Sequence, residues 1–384
     1  MRPAFIALIL ALPALLLAGS PAHGAEAAFS LEIRPAGECL GPLELRLDEG
    51  GFDLDSLYLQ GALWGCTWRI GVVPVDWGPS PAEDLLFSGR HGLLSVWAIT
   101  DYRGFEILPA LHYENFYARL APRDGSDRWL IGRRYTFGGG RWRAGFTETA
   151  LLSGDFSPYY LIPYPFFPLS VGKVFLTACG VGDPKDANLL YGLDLAWEGE
   201  KGNAYAALLV DEAPLTAAWE GPWRIGLQLG GERRGFRGRP DLSLWAEYTA
   251  VSRYAFTYHE GYARGDYCDG SELLGHPLGP DADLLRLRLT KAESGRSLWL
   301  ELSLERHGEG GFGDRWDPSR GQALEFLTGT VETAYWLGFG LGFPVGEEGR
   351  LELALSSAWV ENCAHRTGET GWRSRMEIAL SLKL

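Results

Sequence analysis

A strict alternation of apolar and polar residues recurs along this chain. Leu alternates with Glu and Arg over 43–48, with Arg over 285–289, with Trp, Glu and Ser over 298–305, and with Glu, Ala and Ser over 351–356. Residues 376–384 repeat the pattern with Met, Ile and Leu. Because the side chains of a strand point alternately to its two faces, each segment has one Leu-rich face and one hydrated face. These segments are predicted to be β-strands whose apolar faces need a cover such as lipid.

The Leu-rich faces lack the mixed Val, Ile and aromatic composition typical of a soluble β-sandwich, which is the alternative. Apolar side chains turned outward to lipid and polar side chains turned inward to a lumen are typical of a transmembrane β-barrel. The predicted fold class is therefore all-β, a transmembrane antiparallel β-barrel. Its length corresponds to about 16–18 strands, and its loops are either extracellular or folded inward as plugs of the lumen.

The first residues have the features of an export signal. Arg2 precedes an apolar run at 4–17, and small residues follow at 22–25. This pattern predicts a cleaved signal peptide at 1–24, followed by an outer-membrane β-barrel at 25–384. The alternative is an uncleaved helical anchor, but a spanning helix needs ~20 apolar residues and this run is shorter. The predicted location is the outer membrane.

Composition favours many strands and tight turns. The chain has 15 Trp, 16 Tyr, 18 Phe, 51 Gly and 2 Met, and its net charge is −14. An acidic chain is a poor partner for nucleic acid, so an acidic polysaccharide would need a local basic patch. The candidate patch consists of Arg133, Arg134, Arg141 and Arg143. A solvated strand face explains these four arginines equally well.

The five cysteines form no metal-binding pattern. Five is an odd number, so at least one cysteine has no partner within the chain. Cys39 and Cys66 are close enough in sequence to join the first hairpins, although buried thiols are the equal alternative. We predict neither a metal site nor a cofactor.

Four irregular segments rich in Gly, Pro, Asp and aromatic residues interrupt the strand pattern at 74–90, 153–170, 261–280 and 306–322. In a barrel these would be extracellular loops or inward-folded plugs, and binding functions concentrate in such loops. Short helices are a weaker expectation for 143–152 and 170–178.

Several motifs follow one another in a fixed order. Trp-Arg-Ile-Gly-Val-Val-Pro-Val-Asp-Trp at 68–77 leads into Gly-Pro at 78–79 and Leu-Leu-Phe-Ser at 85–88. Gly-Phe-Thr-Glu-Thr at 145–149 precedes an aromatic, proline-rich stretch at 159–168.

Further motifs lie at 188–194, 205–212, 247–249, 258–262 and 274–283. In this order the set resembles the Wzi family of capsule-assembly proteins. The resemblance implies an outer-membrane barrel that binds or anchors a surface glycan, capsular polysaccharide or exopolysaccharide, without catalysis. The implied partners are that polysaccharide and outer-membrane lipid. The oligomeric state is left open.

A saccharide site needs aromatic rings for the C–H faces of sugars, and carboxylates for their hydroxyls. The loops and strand ends with these groups give the candidate glycan-binding residues, which are Trp77, Glu148, Tyr159, Tyr164, Glu247, Tyr258, His259 and Asp281. The alternative is that the tyrosines form an interfacial girdle and the acids line a wet lumen. Asp281 has a further alternative role in a turn or at Ca²⁺.

Two other functions are weighed against glycan binding. Glu148 and Glu247 would suit a glycosidase only if they faced each other across a cleft, and no nucleophile motif accompanies them. We therefore predict no catalytic residues and no enzyme. A general porin or channel is the stronger alternative, because Gly- and Pro-rich aromatic loops also constrict channels.

Overall fold

The computed structural model describes 27–32, 43–48, 51–63, 66–75, 77–87, 92–102, 111–154, 188–211, 221–258, 263–317, 319, 321, 323–346 and 349–383. The predicted signal peptide at 1–24 lies outside these residues. Among them, no helix is long and apolar enough to cross a membrane.

The described structure is built almost entirely from strands. Their bounds in chain order are β1 Ala27–Glu32, β2 Leu43–Asp48, β3 Gly51–Leu63, β4 Cys66–Pro74, β5 Gly92–Tyr102, β6 Leu111–Arg123, β7 Ser126–Gly139, β8 Trp142–Ser153, β9 Asn188–Gly199, β10 Gly202–Asp211, β11 Ile225–Arg234, β12 Leu242–Val251, β13 Cys268–Asp269, β14 Glu272–Leu273, β15 Ala282–Glu293, β16 Arg296–His307, β17 Glu332–Val345, β18 Gly349–Glu361 and β19 Thr370–Lys383.

Seventeen of these described strands close into a ring, and β13 and β14 form a separate small hairpin. Successive strands of the ring pair antiparallel, and β1 pairs with both β2 and β19. The predicted all-β barrel and its expected strand number are therefore confirmed. The closing pair β1–β19 is parallel, as an odd number of strands requires. Bacterial single-chain barrels ordinarily have an even number.

The two faces of the wall follow the alternation in the sequence. On β15, Leu285 and Leu287 are exposed on the outer face, while Arg286 and Arg288 turn to the lumen. Cross-strand pairs such as Leu287 with Leu302 continue the apolar outer surface from strand to strand. This outer belt consists of Leu193, Leu195, Leu227, Leu229, Leu285, Leu287, Leu289, Leu298, Leu300, Leu302, Leu337, Phe339, Leu341, Leu355, Met376 and Ile378.

The connections differ between the two ends of the ring. The described residues of the long connections, at 77–87, 221–224, 252–258, 263–281, 308–317 and 323–331, belong to one end, which we call the loop end. The opposite end has tight turns, including the one at Ser294 and Gly295. Both of these residues have positive φ, which suits the twist of a two-residue hairpin. Short turns at one end and long loops at the other are typical of outer-membrane barrels.

One long connection folds into the ring. Residues 77–87, called the inner loop, bury Trp77, Leu85, Leu86 and Phe87 against lumen-facing side chains of the strands. The approach is close: a Cβ atom at Gly132 would lie 2.6 Å from the Trp77 ring. Glycine at 132 therefore makes room for the indole. Of the two roles left open for the irregular segment 74–90, extracellular loop or inward-folded plug, residues 77–87 take the second.

Two weaker expectations have different outcomes. Residues 143–152, expected as a short helix, belong to β8, because pairing with β7 and β9 on either side satisfies their backbone groups. Residues 170–178 lie outside the described residues.

Cys268 and Cys363 are free thiols. The proposed pairing of Cys39 with Cys66 also lies outside the described side chains.

The outer belt gives a first prediction about stability. Leu302→Arg places a charge on the outer face of β16, and Ser303→Arg places the same charge on its lumen face. Should the belt contact lipid, the first variant loses ~2–4 kcal/mol of unfolding free energy, and the second changes little because its side chain stays hydrated. Guanidinium-induced unfolding of each variant in lipid vesicles measures the two changes in unfolding free energy. Equal losses would contradict the assignment of faces.

Candidate functional site

Polar contacts fix the inner loop against the lumen wall. The Ser80 hydroxyl donates to Glu247 Oε2 at 2.6 Å, and the Tyr205 hydroxyl donates to the same oxygen at 2.7 Å. Gln228 on β11 donates to the backbone oxygen of Glu83 at 2.7 Å. Glu247 and Gln228 are both buried. Buried polar groups of this kind are costly without partners, so they specify one position for the loop.

A second long connection, 252–281, covers the loop end above the inner loop, and we call it the cap loop. It is held largely by Arg128 of β7, whose guanidinium is fully buried. This group donates to the backbone oxygens of Arg264 at 2.7 Å and Cys268 at 2.9 Å, and also to that of Asp266. Three carbonyl oxygens of one loop are thus bound by one strand residue.

The cap loop is tied to several neighbouring strands. Asn188 of β9 donates to the Gly265 oxygen at 2.9 Å, and Asp211 of β10 accepts from the Phe256 N–H at 2.7 Å. The Ala121 N–H of β6 donates to Asp269 at 2.6 Å. The cap loop also meets the inner loop, since the His276 N–H donates to the Leu85 oxygen at 3.2 Å. Together the two loops fill the half of the ring from β6 to β12.

A third connection, 308–331, supports the cap loop. Arg315 donates two hydrogen bonds to the fully buried Asp266 carboxylate, at 2.7 and 2.9 Å. Asp281 accepts from the Gly310 N–H at 2.8 Å and from the Thr328 hydroxyl at 2.6 Å. Burial raises the pKa of Tyr267 in the cap loop, so its hydroxyl stays protonated over the physiological range.

The other side of the ring is wet. A cavity of about 670 Å³, which we call the trough, runs along the lumen side of β15–β19. Its charged lining residues are Arg286, Arg288, Glu301, Glu305, Arg373, Arg375 and Glu377, and two indoles, Trp299 and Trp336, lie among them. Among the described side chains, the lumen is therefore packed beside β6–β12, which we call the packed half, and hydrated beside β15–β19, which we call the hydrated half.

The structure buries every candidate glycan-binding residue whose side chain it describes. Trp77 has its ring 4.9 Å from that of Phe116, and Tyr258, which belongs to the cap loop, is 1% exposed. Glu247 holds the inner loop, and Asp281 holds 308–331 in the turn role considered as its alternative. A glycan would reach these residues only if the loops moved. The remaining candidates Tyr159, Tyr164 and His259 lie outside the described residues.

The four arginines of the candidate basic patch are not brought together. Arg134 turns to the lumen and pairs with Asp194 at 2.8 and 3.0 Å. Its neighbour Arg133 points to the opposite face of β7, because consecutive strand residues alternate. Arg141 and Arg143 are exposed at the tight-turn end. The patch fails as one surface, since the spacing along a strand separates its members.

The outer face of β6–β8 differs from the apolar belt. Arg133 on β7 lies directly opposite Glu148 on β8, and both are buried although they point outward. Tyr113, Tyr117 and Ile131 on the same face are at most 1% exposed. This stretch of wall is therefore covered by protein, whereas the leucines of β9–β19 are open.

The trough residues were not among the candidates from sequence. Arg286, Arg288, Glu301 and Glu305 stand at the polar positions of the alternating leucine segments. The alternation showed that these side chains face water. It did not show that β15 and β16 bring them into one cavity with residues of β17–β19, because that depends on the register between strands.

The chain thus belongs, by its architecture, to the closed β-barrels with inward-folded loops. No protein-family profile and no curated protein matches the sequence.

Among solved structures, the chain is similar to Pseudomonas aeruginosa OccK10 (OpdN), at 11% identity and a TM-score of 0.47, covering 91% of this chain and 90% of that one. It is also similar to the outer membrane protein OprD of P. aeruginosa, at 9% identity and a TM-score of 0.45, covering 89% and 83%. A third similar structure is Acinetobacter baumannii OccAB4, at 9% identity and a TM-score of 0.43, covering 88% of this chain and 84% of that one. Similarity this distant carries no inference about function. The resemblance to the Wzi family stays a prediction.

The attachment of the cap loop gives a second prediction. Arg128→Met leaves three buried carbonyl oxygens without their donor, which costs about 3 kcal/mol or more of local stability. The amides of 263–268 are expected to exchange hydrogen much faster, as read by mass spectrometry. Arg119→Met is the matched control, since Arg119 makes an exposed pair with Asp127 that contributes at most ~1 kcal/mol. Unchanged exchange in Arg128→Met would show that other contacts hold the cap.

Proposed function

We propose that this protein is a non-catalytic outer-membrane channel for small polar solutes. The observation that carries the proposal is the trough, a hydrated cavity of about 670 Å³ lined by charged side chains on the lumen side of β15–β19. The outer belt of exposed Leu residues on the same strands supplies the apolar surface that lipid would cover. One wall therefore combines a lipid-facing side and a water-facing side.

The packed half supports a selective channel over a wide pore. The inner loop and the cap loop occupy the lumen beside β6–β12, and the hydrated cavity along β15–β19 is the proposed route for solutes. The long connections 75–91, 252–281 and 308–331 at the loop end are the expected extracellular side of such a protein. The apolar run at 4–17 fits export to the outer membrane.

The other predicted functions have less support. Binding of a surface glycan through Trp77, Tyr258 and Asp281 requires these buried groups to become accessible. A glycosidase would require two carboxylates facing each other across an open cleft. Glu148 faces outward and Glu247 faces the lumen, on opposite sides of the wall, so this pair does not provide that arrangement.

A pair of neighbouring residues tests the channel. Ala354 lies on the floor of the trough, and Leu355 lies on the outer belt. Purified protein in planar lipid bilayers is expected to conduct potassium chloride. Ala354→Trp should lower the single-channel conductance several-fold because the indole fills the trough, whereas Leu355→Trp should leave it unchanged. The channel proposal fails if the wild-type protein does not conduct, and the passage lies elsewhere if both variants conduct like wild type.

A further inference from the structure

The floor of the trough is made of small residues. Gly338 on β17 pairs with Ser356 on β18, and Gly340 pairs with Ala354. Gly338, Ala354 and Ser356 line the cavity. At Gly340 a Cβ atom would lie 2.2 Å from the Trp299 ring, so glycine lets that indole lie flat on the wall. These small side chains on β17 and β18 leave a shallow groove between the larger side chains of the neighbouring strands.

Each guanidinium beside this floor has a carboxylate close to it. Arg288 Nη2 is 2.6 Å from Glu301, and Arg375 is 3.8 Å from Glu377. Arg286 lies close enough to Glu305 to interact with its charge.

Arg373 at the cavity edge is hydrogen-bonded twice to Glu332, at 2.7 and 2.9 Å. The trough lining has four arginines and three glutamates, and Glu332, which is not part of the lining, supplies the fourth carboxylate, so each guanidinium has an acidic partner. A solute with a net charge would have to compete with an existing pair, whereas a neutral polar solute meets donors and acceptors side by side.

The two indoles have different surroundings. The Arg288 guanidinium sits over the Trp299 ring at 4.6 Å, so that ring already has a stacking partner. Trp336 donates from Nε1 to Glu305 at 3.1 Å, and its cross-strand neighbour on the lumen face is Ala358. The Arg375 guanidinium lies over its ring at 6.0 Å, farther away than Arg288 is from Trp299. Trp336 is therefore the better candidate of the two for an aromatic platform.

We propose that the trough contains a binding subsite for a neutral saccharide, with a sugar ring stacked on Trp336. This inference rests on the proposed channel and names the class of its solute. A pyranose has an apolar C–H face that packs on an indole, and hydroxyls around its edge that pair with planar polar groups. Glu305 supplies acceptors beside the ring of Trp336. The Arg375 guanidinium, which lies over that ring 6.0 Å from its centroid, moves aside for the sugar and then donates to its hydroxyls.

Current block in planar bilayers tests the subsite. With wild-type channels in potassium chloride, added maltose or cellobiose should reduce the current in a saturable manner. Sorbitol offers similar hydroxyls but has no ring face, and it should block much less. Glucuronate is the charged comparison, and stronger block by glucuronate than by the neutral sugars would overturn the choice of a neutral solute.

Variants of Trp336 assign the effect to a residue. Trp336→Ala should abolish the block by neutral sugars while leaving the potassium chloride conductance similar or larger, and Trp336→Phe should retain part of it. Trp316→Ala is the matched control, because its indole lies in 308–331 and donates to the Gly321 oxygen outside the trough. Equal block in wild type and Trp336→Ala would refute the subsite.

The two proposals fail in different ways. Normal conductance without any sugar block removes the subsite and leaves the channel. Without conductance the channel falls, and the subsite is then measured by tryptophan fluorescence of detergent-solubilised protein titrated with maltose. In that titration a change that is present in wild type and lost in Trp336→Ala supports the subsite, and its absence in wild type overturns it.

Discussion

Closure of the sheet into a ring is the constraint on which the rest of this structure depends. Every strand of the ring has a hydrogen-bonded neighbour on both sides, and the pairing of β1 with β2 and β19 completes it. Closure removes the free edges that a sheet of this size would otherwise expose. It also forces each strand to give one face to the outside and the other to the lumen. The exposed leucines and the charged trough are the two results of that single requirement.

The lumen is filled unevenly because the loops differ in what they can bury. The inner loop carries Trp77, Leu85, Leu86 and Phe87, which pack against Phe116 and other apolar lumen residues of the packed half. Its polar groups find partners in Gln228 and Glu247. On β15–β19 most lumen positions are charged or small, with Trp299 and Trp336 among them, so apolar loop residues would gain less there. The boundary between packed and hydrated halves follows the composition of the lumen positions.

Much of the architecture could be predicted from sequence, because alternation is a local property. The pattern at 285–289 shows by itself which side chains leave the lumen, and the irregular segment 74–90 shows where a plug could start. The strand at 142–153 was not evident from its own residues. Its backbone groups pair with β7 and β9, and a local pattern does not show such pairing. A pattern within one segment contains no information about its partners.

The candidate site was harder to predict for the same reason. Trp77 and Tyr258 are aromatic residues in loops, as a binding residue should be, but folding turns both into core. Arg133 and Arg134 are adjacent in sequence and therefore on opposite faces of the wall. Trp336 and Arg375 come together only through the register of three strands. Long-range pairing thus decides which polar and aromatic groups meet.

The cap loop has a mechanical consequence for the ring. It leaves the wall at β12 and is hydrogen-bonded to β6 through Ala121 and to β7 through Arg128, so it crosses the opening of the barrel at the loop end. The barrel cannot widen in the direction from β12 to β6 and β7 unless these hydrogen bonds of the cap loop break. The Arg315–Asp266 contact extends this bracing to 308–331, between β16 and β17. The loop end is therefore cross-linked by hydrogen bonds between strands that are not neighbours in the ring.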